Sequence, residues 1–155
     1  MSELTEGMQA PGFTLPRDGG GQLSLSDFGG KKVVLYFYPK DDTSGCTAQA
    51  IDFSGMKDAF GEAGAVVIGM SPDPVKKHDK FRDKHVLDVI LAADEEKSTL
   101  EAYGVWQETS MYGRKYMGVE RSTFLIDGNG KIARIWRKVK VPGHADEVLE
   151  AVKAL

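Results

Sequence analysis

The stretch Val33–Tyr38 constrains the fold of this 155-residue chain more than any other segment. Its sequence, VVLYFY, is a continuous run of β-branched, aliphatic and aromatic residues. Such a run predicts a strand that is buried on both faces, rather than a surface strand in which polar and apolar residues alternate. Pro39 ends this strand, because proline has no N–H group to donate to a neighbouring strand.

Predicted helices and strands alternate after this point. The first helix is predicted from apolar residues that recur three or four positions apart, which are Cys46, Ala50, Phe53, Met56 and Phe60. Ala65–Met70 predicts the next buried strand. Asp73 as N-cap and Pro74 in the first turn then predict a helix that reaches about residue 85. A short strand near 89–92, a short helix near 95–103 and a C-terminal helix over about 144–155 complete this series.

Two hairpins are also predicted. The glycine-rich segment 17–22 joins short strands near 13–15 and 23–25, and the turn 127–130, with sequence DGNG, joins 122–126 to 131–139. Strands alternating with helices, followed by a hairpin and a last helix, predict an α/β fold with a central mixed β-sheet flanked by helices and an N-terminal β-hairpin. Because no repeat or linker divides the chain, we predict a single domain over 1–155.

Composition narrows the classes of partner. A net charge of −3 gives no electrostatic case for nucleic acid or an anionic membrane, and no apolar run approaches the roughly 20 residues of a membrane span. A single cysteine and an acidic start without a signal-peptide pattern predict a cytoplasmic protein. The three histidines, at 78, 85 and 144, do not have metal-ligand spacing, so no metal is expected.

Cys46 is the only cysteine, so it is either a packing residue or a reactive thiol. An ordinary thiol with a pKa near 8.5 is only about 3% ionised at pH 7. Lowering a thiol pKa to about 6 takes ~3.4 kcal/mol of thiolate stabilisation, of which a helix N-terminus supplies ~0.3–2 kcal/mol. A reactive thiol at the start of a helix therefore needs a cation beside it.

The residues before Cys46 suit a reactive thiol. Gly45 lets the backbone come close to a small ligand, and the Thr43 hydroxyl can accept one hydrogen bond while it donates another. Pro39 ends the strand and can shield the thiolate from water. The simpler interpretation of these residues is a loop with an ordinary helix start.

Pro39, Thr43 and Cys46 match the P-x-x-x-T-x-x-C signature of peroxiredoxins. The fuller run FYPKDDTSGCT, residues 37–47, resembles the bacterioferritin comigratory protein branch, also called PrxQ. A second block, residues 111–127, resembles the segment of that family that carries its active-site arginine, and the matching residue is Arg121. With the opening at 7–15, the resemblance covers essentially the whole domain.

The resemblance implies a thioredoxin-like fold and a thiol peroxidase that needs no metal, haem or flavin. In the implied reaction the Cys46 thiolate attacks a peroxide oxygen and becomes a sulfenic acid. Thr43, Arg121 and the backbone N–H groups near Gly45 would hold the peroxide. Two tyrosines are further candidates for lining a substrate pocket, Tyr38 and Tyr112, although both are equally well explained as packing residues.

The chain departs from many relatives at Ile51, where they carry a resolving cysteine. The sulfenic acid must therefore meet an external thiol, such as thioredoxin, glutaredoxin, glutathione or Cys46 of a second molecule. A monomer is expected. Two alternatives remain: a thioredoxin-like disulfide exchanger, disfavoured because Thr43 stands where a C-x-x-C motif has its first cysteine, and a non-enzymatic redox sensor or holdase.

Overall fold

A computed structural model describes residues 3–155, with the side chain of Met111 excepted. The strands are β1 (Thr14–Pro16), β2 (Gln22–Ser24), β3 (Lys32–Phe37), β4 (Ala65–Ser71), β5 (Ile90–Ala93), β6 (Trp106–Met111), β7 (Arg114–Val119), β8 (Ser122–Ile126) and β9 (Ile132–Trp136). The α-helices are α1 (Ser44–Gly55), α2 (Lys57–Glu62), α3 (Val75–His85), α4 (Ser98–Ala102) and α5 (His144–Ala154). Within this part of the chain, no helix is both long enough and apolar enough to cross a bilayer.

The central sheet has five strands in the order β5-β4-β3-β8-β9. β3 lies in the middle, parallel to β4 and antiparallel to β8. The sheet is therefore mixed, as predicted, and β1 and β2 form the expected N-terminal hairpin. In this arrangement the segment that follows β3 lies beside the segment that precedes β8, because Phe37 is paired with Ser122.

Both faces of β3 are covered, which explains its uninterrupted apolar sequence. Val34, Tyr36 and Tyr38 belong to one core cluster, together with buried residues of α1, α2, α3 and α5. Val33, Leu35 and Phe37 belong to a second cluster, together with residues of the N-terminal segment and α4. Each fully buried large side chain contributes roughly 1.5–3 kcal/mol. A polar residue at any of these positions would lose that contribution and leave its own polar group buried.

Two predicted helix boundaries differ from the structure. The helix expected over 46–60 is divided at Met56 into α1 and α2, although its apolar residues do pack against one core as the spacing indicated. Asp73 is not the N-cap of α3, since that position is Pro74. The Asp73 carboxylate instead accepts hydrogen bonds from the backbone N–H of Asp41 at 2.7 Å and from the Ser71 hydroxyl at 2.8 Å.

The hairpin of β6 and β7 was not predicted. Its two turn residues, Tyr112 and Gly113, both have positive φ, at 53° and 78°. Positive φ at both central positions is the geometry of a type I′ turn, which ordinarily selects Asn-Gly or Asp-Gly. With tyrosine at the first position, the sequence lacks the usual hairpin signal.

His144 is a buried residue at the start of α5, and its Nε2 lies 2.8 Å from the Thr123 hydroxyl. Burial lowers the pKa of His144 and outweighs the charge of Glu147, which raises it, while the positive charge of Arg121 lowers it further. The unfolded chain gains this proton near pH 6.5, whereas the folded protein gains it only at lower pH. The stability contributed by the neutral imidazole is therefore present above pH 6.5 and is lost as the pH falls below it.

We therefore expect the free energy of unfolding to fall between pH 7.5 and 5.5 by up to ~1 kcal/mol more in the wild type than in His144→Gln. Urea unfolding at the two pH values measures this difference. Glutamine does not titrate, and its amide can replace the Nε2 hydrogen bond. An equal pH dependence in the two proteins would contradict the assigned role of His144.

Candidate active site

The junction between β3 and α1 places Cys46 at a helix N-terminus. Thr43 is the N-cap residue of α1, and Cys46 lies in its first turn. The first N–H groups of a helix have no carbonyl partner within the helix, and they carry the positive end of the helix dipole. The Cys46 side chain is only 2% exposed, so its sulfur is largely shielded from bulk water. The N-terminus of α1 therefore supplies one of the two features that a reactive thiol needs.

The required cation is Arg121, which immediately precedes β8. Its Nη2 donates a hydrogen bond to the Sγ of Cys46 at 3.3 Å. The antiparallel pairing of β3 with β8 brings these two residues together across 75 positions of sequence. Three other arginines lie near Arg121 in the sequence, and they occupy β7, β9 and the position directly after β9: Arg114, Arg134 and Arg137. The pairing of β3 with β8 thus brings the guanidinium of Arg121 against the sulfur of Cys46.

Gln49 is a component of the site that the sequence analysis missed. Its side-chain oxygen accepts a hydrogen bond of 2.6 Å from Nη1 of Arg121, and the residue is only 2% exposed. Gln49 lies three residues after Cys46, which places the two side chains on the same face of α1. The guanidinium is thus held between two residues of one helix. The spacing was visible in the sequence, but nothing there indicated which arginine Gln49 would contact.

The orientation of Thr43 is also defined. Its hydroxyl donates a hydrogen bond of 2.9 Å to the backbone carbonyl of Lys40. The proton of this hydroxyl is therefore committed, and its lone pairs can accept a proton donor from outside. Thr43 is exposed, so a molecule arriving from solvent can reach it.

A family comparison agrees with this geometry. Residues 7–135 match the model of the AhpC/TSA family, a span that includes every residue of the site. The chain belongs to the AhpC/TSA family of peroxiredoxins. It is therefore a thiol-dependent peroxidase, as the two sequence blocks around Cys46 and Arg121 implied.

Individual relatives narrow the branch. The chain is 49% identical to peroxiredoxin Bcp of Bacillus subtilis over 147 residues, which is 95% of this chain and 94% of the relative. Among solved structures, peroxiredoxin Q of Xanthomonas campestris superposes with a TM-score of 0.88 at 44% identity, covering 92% of this chain and 90% of that one. A cysteine-to-serine variant of PrxQ from Xylella fastidiosa superposes with a TM-score of 0.94 at 38% identity, covering 99% and 98%. The thioredoxin-like fold of this peroxiredoxin and its place in the Bcp (PrxQ) branch follow from these comparisons.

The remaining predicted site residues, Pro39, Tyr38 and Tyr112, have three different surroundings. Pro39 is exposed and lines a cleft of about 480 Å³, whose other walls come mainly from the β6–β7 hairpin. Tyr38 is 1% exposed, and its hydroxyl donates to the Asp41 carboxylate at 2.5 Å, so its side chain is part of the core rather than of an open pocket. Tyr112 is 98% exposed at the hairpin turn. The pocket roles expected for these two tyrosines do not fit their positions.

Tyr36 is another buried polar group near the thiol. Burial raises the pKa of Tyr36, and the nearby charges at Asp41 and Cys46 raise it further. This phenol therefore stays protonated at physiological pH and adds no charge to the site. Among the residues that the structure describes, no three His, Cys, Asp or Glu side chains are grouped as metal ligands.

Gly45 allows the close approach of the Arg121 guanidinium. A Cβ atom at this position would lie 3.3 Å from Nη2 of Arg121, so the guanidinium would have to shift by a few tenths of an ångström. We expect Gly45→Ala to lower the second-order rate constant for peroxide several-fold. Since alanine is the better helix former, the same substitution should raise the free energy of unfolding by up to ~1 kcal/mol.

Gly55→Ala is the matched control, because Gly55 is the last residue of α1 and a Cβ atom there would have no neighbour within 4 Å. This variant should be stabilised similarly and should keep its rate. Stopped-flow kinetics and urea unfolding of both variants make the comparison. Equal rates for the two variants would show that the approach of Arg121 does not depend on Gly45.

Proposed function

We propose that this peroxiredoxin reduces hydrogen peroxide and organic hydroperoxides through Cys46, and that an external thiol returns Cys46 to its reduced form. The observation that carries the proposal is the 3.3 Å hydrogen bond from Nη2 of Arg121 to the sulfur of the only cysteine in the chain. This contact, made at the N-terminus of α1, is the arrangement that stabilises a thiolate and the negative charge that forms on a departing oxygen.

The peroxidatic step follows from these positions. The thiolate of Cys46 attacks the terminal oxygen of R–O–O–H, so that an S–O bond forms while the O–O bond breaks. The sulfur is oxidised to the sulfenic acid, and the leaving alkoxide takes up a proton from solvent to become R–OH. Thr43 accepts a hydrogen bond from the proton of the attacked oxygen, and Arg121 donates to the oxygens as negative charge develops.

The reductive step needs two external thiols, because the sequence has no second cysteine. The first thiol condenses with the sulfenic acid to give a mixed disulfide and water, and the second releases Cys46 as a thiol and leaves with the disulfide. Thioredoxin, glutaredoxin and glutathione have the required chemistry. Since the Cys46 side chain is only 2% exposed, the first turn of α1 has to move before such a thiol can reach the sulfur.

Two observations support organic hydroperoxides as substrates. The Xanthomonas campestris bacterioferritin comigratory protein, 44% identical to this chain, has been studied for alkyl peroxide reduction in a trapped intermediate/ligand complex. In this chain, the cleft beside Pro39 has room for an organic group.

A reducing compartment such as the cytoplasm fits the dependence on external thiols, and we propose that the protein acts there as a monomer.

Turnover under separate reductants tests the proposal. Hydrogen peroxide and cumene hydroperoxide are each supplied with the thioredoxin system, the glutaredoxin system or glutathione alone, and peroxide loss is followed over many equivalents of protein. We expect multiple turnovers with at least one reductant. Fast oxidation of one thiol per chain without turnover under any reductant would instead support a redox sensor.

A further inference from the structure

His78 is a buried titratable residue that the proposed chemistry does not use. It lies on α3, its side chain is completely buried, and both ring nitrogens have partners. Nε2 lies 2.9 Å from the backbone carbonyl of Ala92, which can only accept, so Nε2 carries a hydrogen. Nδ1 lies 2.6 Å from Oδ2 of Asp41. The second contact reaches directly into the segment between β3 and α1.

The pair formed by His78 and Asp41 is charge-assisted. Burial alone lowers the pKa of His78, but the hydrogen bond and the charge of Asp41 outweigh it, and together with Ala92 and Asp73 they raise the pKa above its ordinary value. With Nε2 already donating to Ala92, the protonated ring also donates from Nδ1 to Asp41. Hydrogen bonds between charged partners are roughly twice as strong as neutral ones, and breaking a buried pair costs more than breaking an exposed pair.

Asp41 is held from two further directions. Its Oδ1 accepts a hydrogen bond of 2.5 Å from the Tyr38 hydroxyl at the end of β3. Its backbone N–H donates to Oδ2 of Asp73 at 2.7 Å, in the segment that leads into α3. Asp41 is only 2% exposed, so these contacts are shielded from water. The residue is thus a fixed point at which β3, α3 and the connection to α1 meet.

This fixed point lies only two residues before Thr43, so the two Cα atoms are at most ~7 Å apart. The Thr43 hydroxyl is in turn bonded to Lys40, the residue on the other side of Asp41. A displacement of Asp41 would therefore carry Thr43 and the first turn of α1 with it. Arg121 is attached to β8 and would stay in place.

We propose that His78 is a positioning residue for the reaction at Cys46, acting through Asp41 to hold Thr43 and the first turn of α1 in register with Arg121. The inference rests on the proposed peroxidase function and adds to it a residue of α3 that does not touch the reacting atoms. A misplacement of about 1 Å at a reacting centre lowers a rate by ~10²-fold. We therefore expect a loss of roughly 10- to 100-fold in the rate constant for peroxide when the His78–Asp41 contact is removed.

Two amide substitutions separate the contacts of His78. The amide of asparagine lies near the position of Nδ1 and can donate to Asp41, whereas the amide of glutamine lies near Nε2 and can donate only to Ala92. We expect His78→Asn to react within about threefold of the wild type and His78→Gln to be about 10- to 100-fold slower. Stopped-flow measurement with hydrogen peroxide, normalised to the folded fraction from circular dichroism, gives both values.

His85→Gln is the control on the same helix. His85 contacts Asp42, but Asp42 is exposed and also paired with Lys84 at 2.7 Å, so the loss of one screened contact should leave the rate unchanged. A folded His78→Gln variant that reacts within threefold of the wild type would overturn the inference. So would equal losses in the asparagine and glutamine variants, since a general packing role predicts them.

If His78→Gln does not fold, Asp41→Ala decides the question. It removes the carboxylate and should show the same 10- to 100-fold loss, so a wild-type rate in the folded Asp41→Ala protein overturns the inference. The proposed function is tested separately in the same series, by whether the wild type itself reacts with peroxide. A wild type that does not react contradicts the peroxidase proposal, whereas a reactive wild type with an equally reactive His78→Gln contradicts only the role of His78.

Discussion

Replacing Cys46 by serine is expected to abolish peroxide reduction. The sulfur is the only thiol in the chain, and a serine hydroxyl at the same position stays protonated and is a poor nucleophile at neutral pH. The peroxide consumption of Cys46→Ser should therefore equal that of a sample without protein. Loss of peroxide under the best reductant, and trapping of a sulfenic acid with dimedone in the wild type only, measure the effect.

Folding and helix perturbation have to be excluded as causes. Serine is close to cysteine in size, so circular dichroism and the thermal midpoint should change little. Ala48→Ser introduces a hydroxyl on the exposed side of the same helix and should keep the wild-type rate. Residual peroxide turnover in Cys46→Ser would place the reactive group elsewhere and would contradict the assignment of Cys46.

Replacing Arg121 by alanine should lower the second-order rate constant for hydrogen peroxide by ~10²–10³-fold, the usual cost of removing one donor to a developing negative charge. The substitution removes the hydrogen bond to the sulfur and the donor to the departing oxygen. Loss of this donor should also slow the alkylation of Cys46 by iodoacetamide. A profile of iodoacetamide alkylation against pH, measured beside the peroxide rate, separates the two effects.

The matched control is Arg114→Ala, because Arg114 is an exposed arginine on β7 and not in contact with the thiol. It should leave both measurements unchanged. Arg121→Ala also leaves the buried side-chain oxygen of Gln49 without its donor, which costs about 1–3 kcal/mol of stability, so rates are compared at a temperature where both proteins are folded. An unchanged alkylation profile in Arg121→Ala would show that Arg121 does not stabilise the thiolate.

Local patterns predicted most of the central sheet. The run at 33–38 and the run at 65–70 became β3 and β4, because short apolar runs rich in β-branched and aromatic residues are typical of strands covered on both faces. The turn 127–130 correctly joined β8 to β9. The β6–β7 hairpin escaped prediction because its turn conformation is imposed on a tyrosine, a residue whose propensity gives no such signal.

The candidate active site likewise contains residues that the sequence predicted and contacts that it did not. Cys46, Thr43 and Arg121 could be named from the sequence because two sequence blocks resemble a known family. The spacing of the apolar residues placed Cys46 at a helix start. Contacts between side chains far apart in the sequence could not be predicted. The pairs Arg121–Gln49 and His78–Asp41 join positions 72 and 37 residues apart, and only the order of strands in the sheet brings them together.

The antiparallel pairing of β3 with β8 has a consequence for how the protein acquires its reactivity. Cys46 and Arg121 lie 75 positions apart, so an unfolded or partly synthesised chain holds an ordinary thiol that lacks its cation. Closing such a long loop is slow compared with forming a helix, and the pair therefore assembles late in folding. The thiol of an incomplete chain thus reacts more slowly with peroxide than the thiol of the folded enzyme. During refolding, the appearance of a thiol that is alkylated rapidly would report the pairing of β8 with β3.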